Sequence, residues 1–172
     1  MKSILSEQQV ALSIKRLAHE ILENHLMLQD TVIIGIQPRG IYVSDRIVNE
    51  LKMLTTDTIK YGKLDITFYR DDVRKELKIA NKTDINFSIE NKHVVIIDDV
   101  LWTGRTIRAA LDALLDFGRP ANVELCVLID RRFSRELPIQ ADYVGRTIDT
   151  FASQKVIVKW KEKDNIDEVV LV

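Results

Sequence analysis

The sequence predicts an α/β fold, a central and mostly parallel sheet flanked by helices, and three observations support this prediction. Apolar runs rich in β-branched residues, at 31–36 and 94–97, are typical of strands that are buried on both faces. Helical patterns alternate with such runs through the first 130 residues, and the connections between them are short. With 172 residues, 46% of them hydrophobic and 30% charged, the chain suits one domain spanning 1–172.

Composition narrows the possible function classes. The chain has 25 basic and 26 acidic residues, so no overall charge draws it to nucleic acid or to a membrane surface. We find no stretch that approaches the ~20 apolar residues needed to cross a bilayer, so we expect a cytoplasmic protein without a membrane partner. Cys126, the one cysteine, lies in an apolar run and is expected to be a core residue.

The first half of the chain gives clear helix and strand signals. Ser6 and Gln9 have the spacing of a capping box, and a helical repeat of apolar residues follows, which predicts a helix from about Glu7 to Leu28. Residues 31–36 predict a strand, and 41–54 predict a helix.

The remaining elements follow from similar patterns. We predict a strand at Lys63–Tyr69, and then a charged loop from Arg70 to Asp84 that could act as a lid over a site. A helix is expected over 107–117 and ends at Gly118, and a buried strand is expected at 123–129. The segment 130–138 is expected to be a loop, with short strands in DYVG, KVIVKW and DEVVLV.

Two acids and a turn follow the strand that begins at Val94. Because burying unpaired carboxylates is costly, we place Asp98 and Asp99 at the carboxyl end of the strand, facing a crevice. The run 103–106 (Thr-Gly-Arg-Thr) then offers a glycine, two hydroxyl groups and the free N–H groups of a helix N-terminus, which favours an anion site. It lacks the Gly-Lys pair of a Walker loop and the GxGxxG pattern, so the phosphate is not expected to belong to ATP or NAD.

A second strand-loop-helix unit carries Arg39 and Gly40, where a guanidinium and a helix N-terminus could bind another phosphate group. Carboxylates beside a phosphate cradle fit a ribose 5-phosphate. The alternative is that both loops are ordinary turns with Asp98 and Asp99 as capping residues, but this leaves the ordered run after the acids unexplained.

The run from Val94 to Thr106 resembles the phosphoribosyl diphosphate (PRPP) motif of type I phosphoribosyltransferases. LDITFYRDD, IIDDVLWTGRTIRAALDALLDFGRP and RELPIQADYVG resemble the bifunctional family of pyrimidine operon attenuators with uracil phosphoribosyltransferase activity, and this resemblance covers nearly the whole chain. It implies the type I phosphoribosyltransferase fold with a small hood, a Mg-PRPP substrate that brings its own Mg²⁺, and a homodimer or higher homo-oligomer.

The resemblance also implies roles for individual residues. Asp98 and Asp99 would hold the ribose hydroxyls and act with Arg39 in catalysis, and Arg39 with Gly40 would bind the pyrophosphate. The other implied positions are Thr103, Gly104, Arg105 and Thr106 for the 5-phosphate, Trp102, Arg131 and Val158 for the base, and Arg70, Asp71 and Asp72 for the flexible loop.

The chain departs from that family in three places. Trp102 replaces the usual Tyr, the segment 130–138 loses a Gly-His pair and gains one residue, and Gln140 stands where Arg is usual. The last two changes fall on the basic surface with which the family is thought to bind messenger RNA. A basic face could still form from Lys15, Arg16, His19, Arg131, Arg132, Arg135 and Arg146.

The function favoured by the sequence is transfer of ribose 5-phosphate from Mg-PRPP to uracil, giving UMP and pyrophosphate, with RNA binding weak or absent. Uracil is preferred over purines because hypoxanthine-guanine phosphoribosyltransferases, which resemble this chain at the cradle, carry an Asp where this chain has Trp102. One alternative is a UMP-responsive attenuator that binds the mRNA leader of a pyrimidine operon. Another is a catalytically silent module that senses PRPP or UMP.

Overall fold

The computed structural model describes residues 2–71 and 80–172, and these residues form two sheets and four α-helices. The strands are β1 (Lys2–Leu5), β2 (Thr31–Ile36), β3 (Lys60–Leu64), β4 (His93–Leu101), β5 (Asn122–Arg132), β6 (Tyr143–Asp149), β7 (Val156–Lys159) and β8 (Glu168–Leu171). The helices are α1 (Glu7–Asn24), α2 (Gly40–Leu54), α3 (Arg105–Leu114) and the short α4 (Lys161–Asp164).

The larger sheet has five parallel strands in the order β3-β2-β4-β5-β6. The smaller sheet is antiparallel, in the order β1-β8-β7, and forms a hood. The predicted α/β architecture and its hood are therefore confirmed. Because all five strands of the large sheet run the same way, their carboxyl ends meet at one edge, where folds of this kind bind ligands.

The large sheet is covered on both faces. Val95 and Ile97 of β4 belong to a core formed with α1, α2 and the hood, whereas Val94 and Ile96 belong to a second core formed with α3. This is why β4 reads as an unbroken apolar run rather than an alternating one. Trp160, which is fully buried, joins the hood to the first of these cores.

Several boundaries differ from the sequence prediction. β3 ends at Leu64, because the Asp65 carboxylate accepts hydrogen bonds from the N–H and the hydroxyl of Thr67 (3.0 and 2.7 Å) and starts a 3₁₀ turn. The capping box is confirmed, but α1 ends at Asn24 rather than near Leu28.

Two strands also extend the predicted set. β5 continues through Arg132, so the predicted loop over 130–138 begins only after Arg131 and Arg132. β1 was not predicted, since its four residues form a strand only by pairing with β8 at the other end of the chain.

The predicted loop over 70–84 is described only in part. Arg70 and Asp71 are described, Asp72 lies outside the described residues, and Lys63 pairs with Asp84 in an isolated antiparallel bridge. In the part of the chain that the structure describes, no helix is both long enough and apolar enough to cross a membrane.

Candidate active site

The acid pair lies inside β4, which runs on to Leu101, and both side chains are almost fully buried. Burial, together with the charge of Asp99, raises the pKa of Asp98 well above its usual range. Burial also raises the pKa of Asp99, although the neighbouring Arg39 guanidinium opposes that rise. Ionisation of the two carboxyl groups is therefore unfavourable in the folded protein. A ligand that brings a cation or hydroxyl donors to the pair would compensate their negative charge.

Arg39 connects this acid pair to the hood. Its Nε donates to Asp99 Oδ2 at 3.2 Å, and its guanidinium also donates to the backbone carbonyl of Val158 in β7. Gly40 has a packing role: a Cβ there would lie 2.6 Å from the carbonyl oxygen of Ile97 and 2.9 Å from Asp98 Cα. The glycine thus lets α2 begin directly against β4.

The predicted phosphate cradle forms the turn between β4 and α3. Gly104 has φ = +94°, a backbone conformation that favours glycine, and α3 begins at Arg105. The hydroxyl of Thr103 accepts a hydrogen bond from the Arg105 N–H at 3.3 Å. Arg105 itself is bound by carboxylates, with Nε 2.6 Å from Glu136 and Nη1 3.1 Å from Asp71.

An aromatic and a basic side chain form the wall opposite the acids. The Arg131 guanidinium lies 4.7 Å from the centre of the Trp102 ring, and it donates to Thr150 Oγ1 at 3.0 Å and to the Gln154 carbonyl at 2.9 Å. Burial lowers the pKa of Arg131, which remains a cation because an arginine keeps its proton in proteins. Val158 is buried in the adjoining hood strand.

These groups meet in one cleft of about 730 Å³. Of the predicted site residues, the cleft is lined by Arg39, Arg70, Asp99, Trp102, Thr103, Gly104, Arg105, Thr106, Arg131 and Val158. Asp98 and Gly40 lie next to each other, directly behind the residues that line the cleft. Glu136 and the residues 152–155, just before β7, also line the cleft, and no signal in the sequence had indicated them.

The predicted basic face divides into separate parts. Arg16 and Arg146 line a shallow groove of about 380 Å³ between α1 and β6, and Lys15 and His19 are exposed on the same helix. Arg131, by contrast, is buried in the cleft wall. Arg132 forms a two-bonded pair with Asp149 (2.8 and 2.9 Å).

Arg135 is not part of the α1–β6 groove, because it is held at the ends of β4 and β5 instead. Its side chain donates to the carbonyl of Trp102 and to Asp130 Oδ1, the latter at 2.6 Å. The seven cations of the predicted face therefore do not form one surface.

A family model described as a phosphoribosyl transferase domain matches residues 1–163. The chain therefore belongs to the phosphoribosyl transferase family.

Within this family, the chain is similar over nearly its whole length to proteins that are named Bifunctional protein PyrR. It is 44% identical to the one from Enterococcus faecalis, covering 99% of this chain and 96% of the relative. It is 47% identical to the one from Chloroflexus aurantiacus, covering 99% of this chain and 94% of the relative. These relatives confirm the resemblance that the sequence motifs indicated.

Solved structures with a similar fold include two hypoxanthine phosphoribosyltransferases. The enzyme from Staphylococcus aureus has a TM-score of 0.74 at 21% identity and covers 98% of this chain and 89% of its own. The enzyme from Trypanosoma cruzi has a TM-score of 0.75 at 20% identity, with coverages of 99% and 95%. At these identities the likeness concerns the fold alone.

Proposed function

We propose that this protein transfers ribose 5-phosphate from Mg-PRPP to N1 of uracil, giving UMP and pyrophosphate, and that it also binds RNA. The observation that supports the enzymatic part is the cleft that brings together Asp99 of the buried acid pair, a glycine turn at a helix N-terminus, and a basic and an aromatic side chain. Membership of the phosphoribosyl transferase family supports the reaction class.

The two loops would bind the two ends of PRPP. The residues 103–106 would hold the 5-phosphate through backbone amides and hydroxyls. Arg39 would meet the pyrophosphate, which would compete with Asp99 for its guanidinium. The Mg²⁺ arrives with the substrate, and the oxygens of pyrophosphate, water and a nearby carboxylate suit its preference for hard ligands.

The acid pair would act on the ribose. As the bond between C1′ and the pyrophosphate oxygen breaks, positive charge develops on the sugar ring, and the carboxylates of Asp98 and Asp99 would stabilise that charge while accepting from the ribose hydroxyls. The pyrophosphate leaves with the bonding electron pair, and uracil N1 forms the new bond as it loses its proton. Catalysis of this kind consists mainly of positioning and electrostatics.

Trp102 and Arg131 would select the base. Trp102 offers a ring for stacking and an apolar edge, but no carboxylate that could serve a purine N7. The Arg131 cation, held against the ring, suits carbonyl oxygens, which uracil carries but hypoxanthine and guanine carry as well. The missing carboxylate at Trp102 therefore supports a pyrimidine such as uracil over hypoxanthine or guanine.

The enzymatic proposal is tested by incubating the protein with Mg-PRPP and each free base in turn. We expect UMP and pyrophosphate to form from uracil in equal amounts, with little product from purines. Faster consumption of hypoxanthine or guanine than of uracil would contradict the choice of base. PRPP binding without turnover for any base would instead support the silent sensor.

The comparisons favour a second role over an enzyme-only protein, because the similar proteins are named bifunctional. We propose that this role is UMP-responsive binding of the leader RNA of a pyrimidine operon. Arg16 and Arg146 in the α1–β6 groove would contact RNA phosphates. Phe133 is 84% exposed and lies under the Arg132 guanidinium, so it offers unpaired bases a stacking surface where the family's Gly-His pair is missing.

A titration of the protein into that leader RNA, with and without UMP, tests this role. We expect binding that UMP strengthens and that a scrambled RNA does not reproduce. Arg146→Ala should reduce the salt dependence of binding by about one unit of slope, whereas Arg119→Ala, which removes an exposed arginine elsewhere, should not. Equal binding to the scrambled RNA would contradict the regulatory role, and only the enzymatic proposal would then stand.

A homodimer or higher homo-oligomer remains a prediction, which sedimentation of the purified protein would test.

A further inference from the structure

The segment after β5 folds back over the phosphate cradle. The N–H groups of Glu136 and Leu137 both donate to the carbonyl oxygen of Thr103, at 2.9 and 3.1 Å. The side chains of Leu137 and Ile139 pack so closely on Gly104 that an added Cβ would lie 3.3 to 3.4 Å from them. The backbone of the cradle is therefore held by residues that are far away in sequence.

Arg135 completes this support. Its guanidinium donates both to the carbonyl of Trp102 and to Asp130 Oδ1 (2.6 Å), so one side chain ties the chain leaving β4 to the end of β5. Asp130 is also the register partner of Leu101, the last residue of β4. The side chains of Arg135 and Asp130 are only 23% and 14% exposed, so water competes weakly for this contact.

These contacts determine which way the cradle amides point. In a trans peptide the C=O and N–H groups point in opposite directions. The carbonyls of Trp102 and Thr103 are turned toward the segment that begins at Arg135, so the N–H groups of Thr103 and Gly104 point away from it. In the described part of the chain these two N–H groups have no hydrogen-bond acceptor, and both residues line the cleft. Successive free amides of this kind form an anion nest.

We propose that Arg135 is a positioning residue for the phosphate of the nucleotide: it fixes the peptide between Trp102 and Thr103 so that the cradle amides are aimed at the phosphate before a ligand binds. This rests on the proposed function, which places the 5-phosphate in the cradle. It gives Arg135 a role different from the RNA contact that the sequence suggested.

The test compares Arg135→Ala and Arg135→Lys with Arg119→Ala, which removes an exposed arginine that has no bond to the cradle. Calorimetry measures the binding of UMP, uridine and Mg-PRPP. We expect Arg135→Ala to weaken UMP and PRPP binding roughly tenfold, the loss that a hydrogen bond to a charged group typically brings. Uridine, which has no phosphate, should bind nearly as before, Arg135→Lys should recover part of the loss, and Arg119→Ala should match the unaltered protein.

Equal weakening of UMP and uridine would mean that Arg135 has a general structural role, and would overturn the proposal. The proposal would also be overturned if Arg135→Ala bound UMP and PRPP as tightly as Arg119→Ala does. If Arg135→Ala does not fold, Arg135→Lys decides between the same outcomes. Failure of the proposed function is recognised separately: an unaltered protein that binds PRPP but makes no UMP disproves the reaction and leaves the test of Arg135 intact.

Discussion

The two ends of the parallel sheet each hold acidic side chains, which are buried at the carboxyl end and partly buried at the amino end, and the two clusters differ in how well their charges are compensated. At the carboxyl end, Asp98 and Asp99 are adjacent, and burial raises the pKa of both. At the amino end, Glu124 of β5 accepts from the Tyr143 hydroxyl at 2.7 Å and lies 2.8 Å from His25 Nε2. Burial alone would raise the pKa of Glu124, but these hydrogen bonds outweigh it and leave the pKa lowered.

This difference indicates that the two clusters serve different purposes. A carboxylate with satisfied hydrogen bonds stabilises the fold, whereas a pair of crowded acids lowers stability and is ready to gain energy from a cationic or hydroxyl-bearing ligand. We therefore expect substitutions at the carboxyl end to reduce activity without loss of stability, and substitutions at the amino end to do the reverse.

The largest effect is expected for the double substitution of Asp98→Asn and Asp99→Asn. Two neutral amides cannot stabilise developing positive charge on the ribose, so the rate of UMP formation should fall ~100-fold or more. The melting temperature should stay the same or rise. Unchanged turnover in the double variant would remove these two residues from the proposed mechanism.

The stability of the single variant Asp98→Asn should depend on pH. Because the pKa of Asp98 is raised in the folded protein, its favourable contribution to stability is complete below the unfolded pKa of about 3.9 and is lost as the pH rises through the folded value. The variant should therefore melt about 2 to 4 °C above the unaltered protein at pH 7.5, which corresponds to roughly 1 kcal/mol, with little difference at pH 4. In the unaltered protein, Asp98 Oδ1 accepts a hydrogen bond from the Asp99 N–H at 2.9 Å. The side-chain oxygen of Asn can accept the same hydrogen bond.

Thermal melts between pH 4 and pH 8 provide this measurement, and Asp112→Asn, at an exposed position of α3, is the control. A variant that melts below the unaltered protein at pH 7.5 would mean that the charge on Asp98 is well compensated, and the contrast between the two ends would not hold.

At the amino end, Tyr143→Phe and Glu124→Gln should each destabilise the fold by about 1 to 2 kcal/mol, since each leaves a partly buried partner without its hydrogen bond. The contribution of Glu124 has the opposite pH dependence to that of Asp98. It is present above the unfolded pKa and is lost as the pH falls through the lowered folded value. Denaturant unfolding measures the change, and turnover at 25 °C should stay within about twofold, because these residues lie at the far end of the sheet.

The sequence could predict the parts of the site that depend on local pattern. The acid pair after an apolar run and the glycine turn before a helix are properties of one short stretch, and the structure shows that stretch as a strand, turn and helix. Local pattern could not place Arg131, which only the family resemblance assigned to the base site, and it could not place Arg135. Both look like exposed loop arginines, and only long-range contacts fix their positions, with the Trp102 ring for Arg131 and the Trp102 carbonyl for Arg135. β1 was missed for the same reason, because its partner is β8.

The smallest effect is expected for Glu136→Gln at the rim of the cleft. Glu136 and Asp71 both form ion pairs with Arg105 beside the cradle, and a phosphate group would have to compete with Glu136 for that guanidinium. Both side chains of the pair are 40 to 50% exposed, so the ion pair itself contributes little to stability. Removing the competing charge should tighten PRPP binding about twofold to threefold at low salt, and the gain should fade as ionic strength rises. The backbone N–H of Glu136, which holds Thr103, is unaffected by the substitution, and Asp112→Asn, which alters an exposed acid of α3, is a control. Weaker PRPP binding by Glu136→Gln would show that this carboxylate orients Arg105 for the ligand and does not compete with the phosphate. The carboxyl end of the sheet would then hold a charge pair that assists substrate binding, in addition to the poorly compensated acids Asp98 and Asp99.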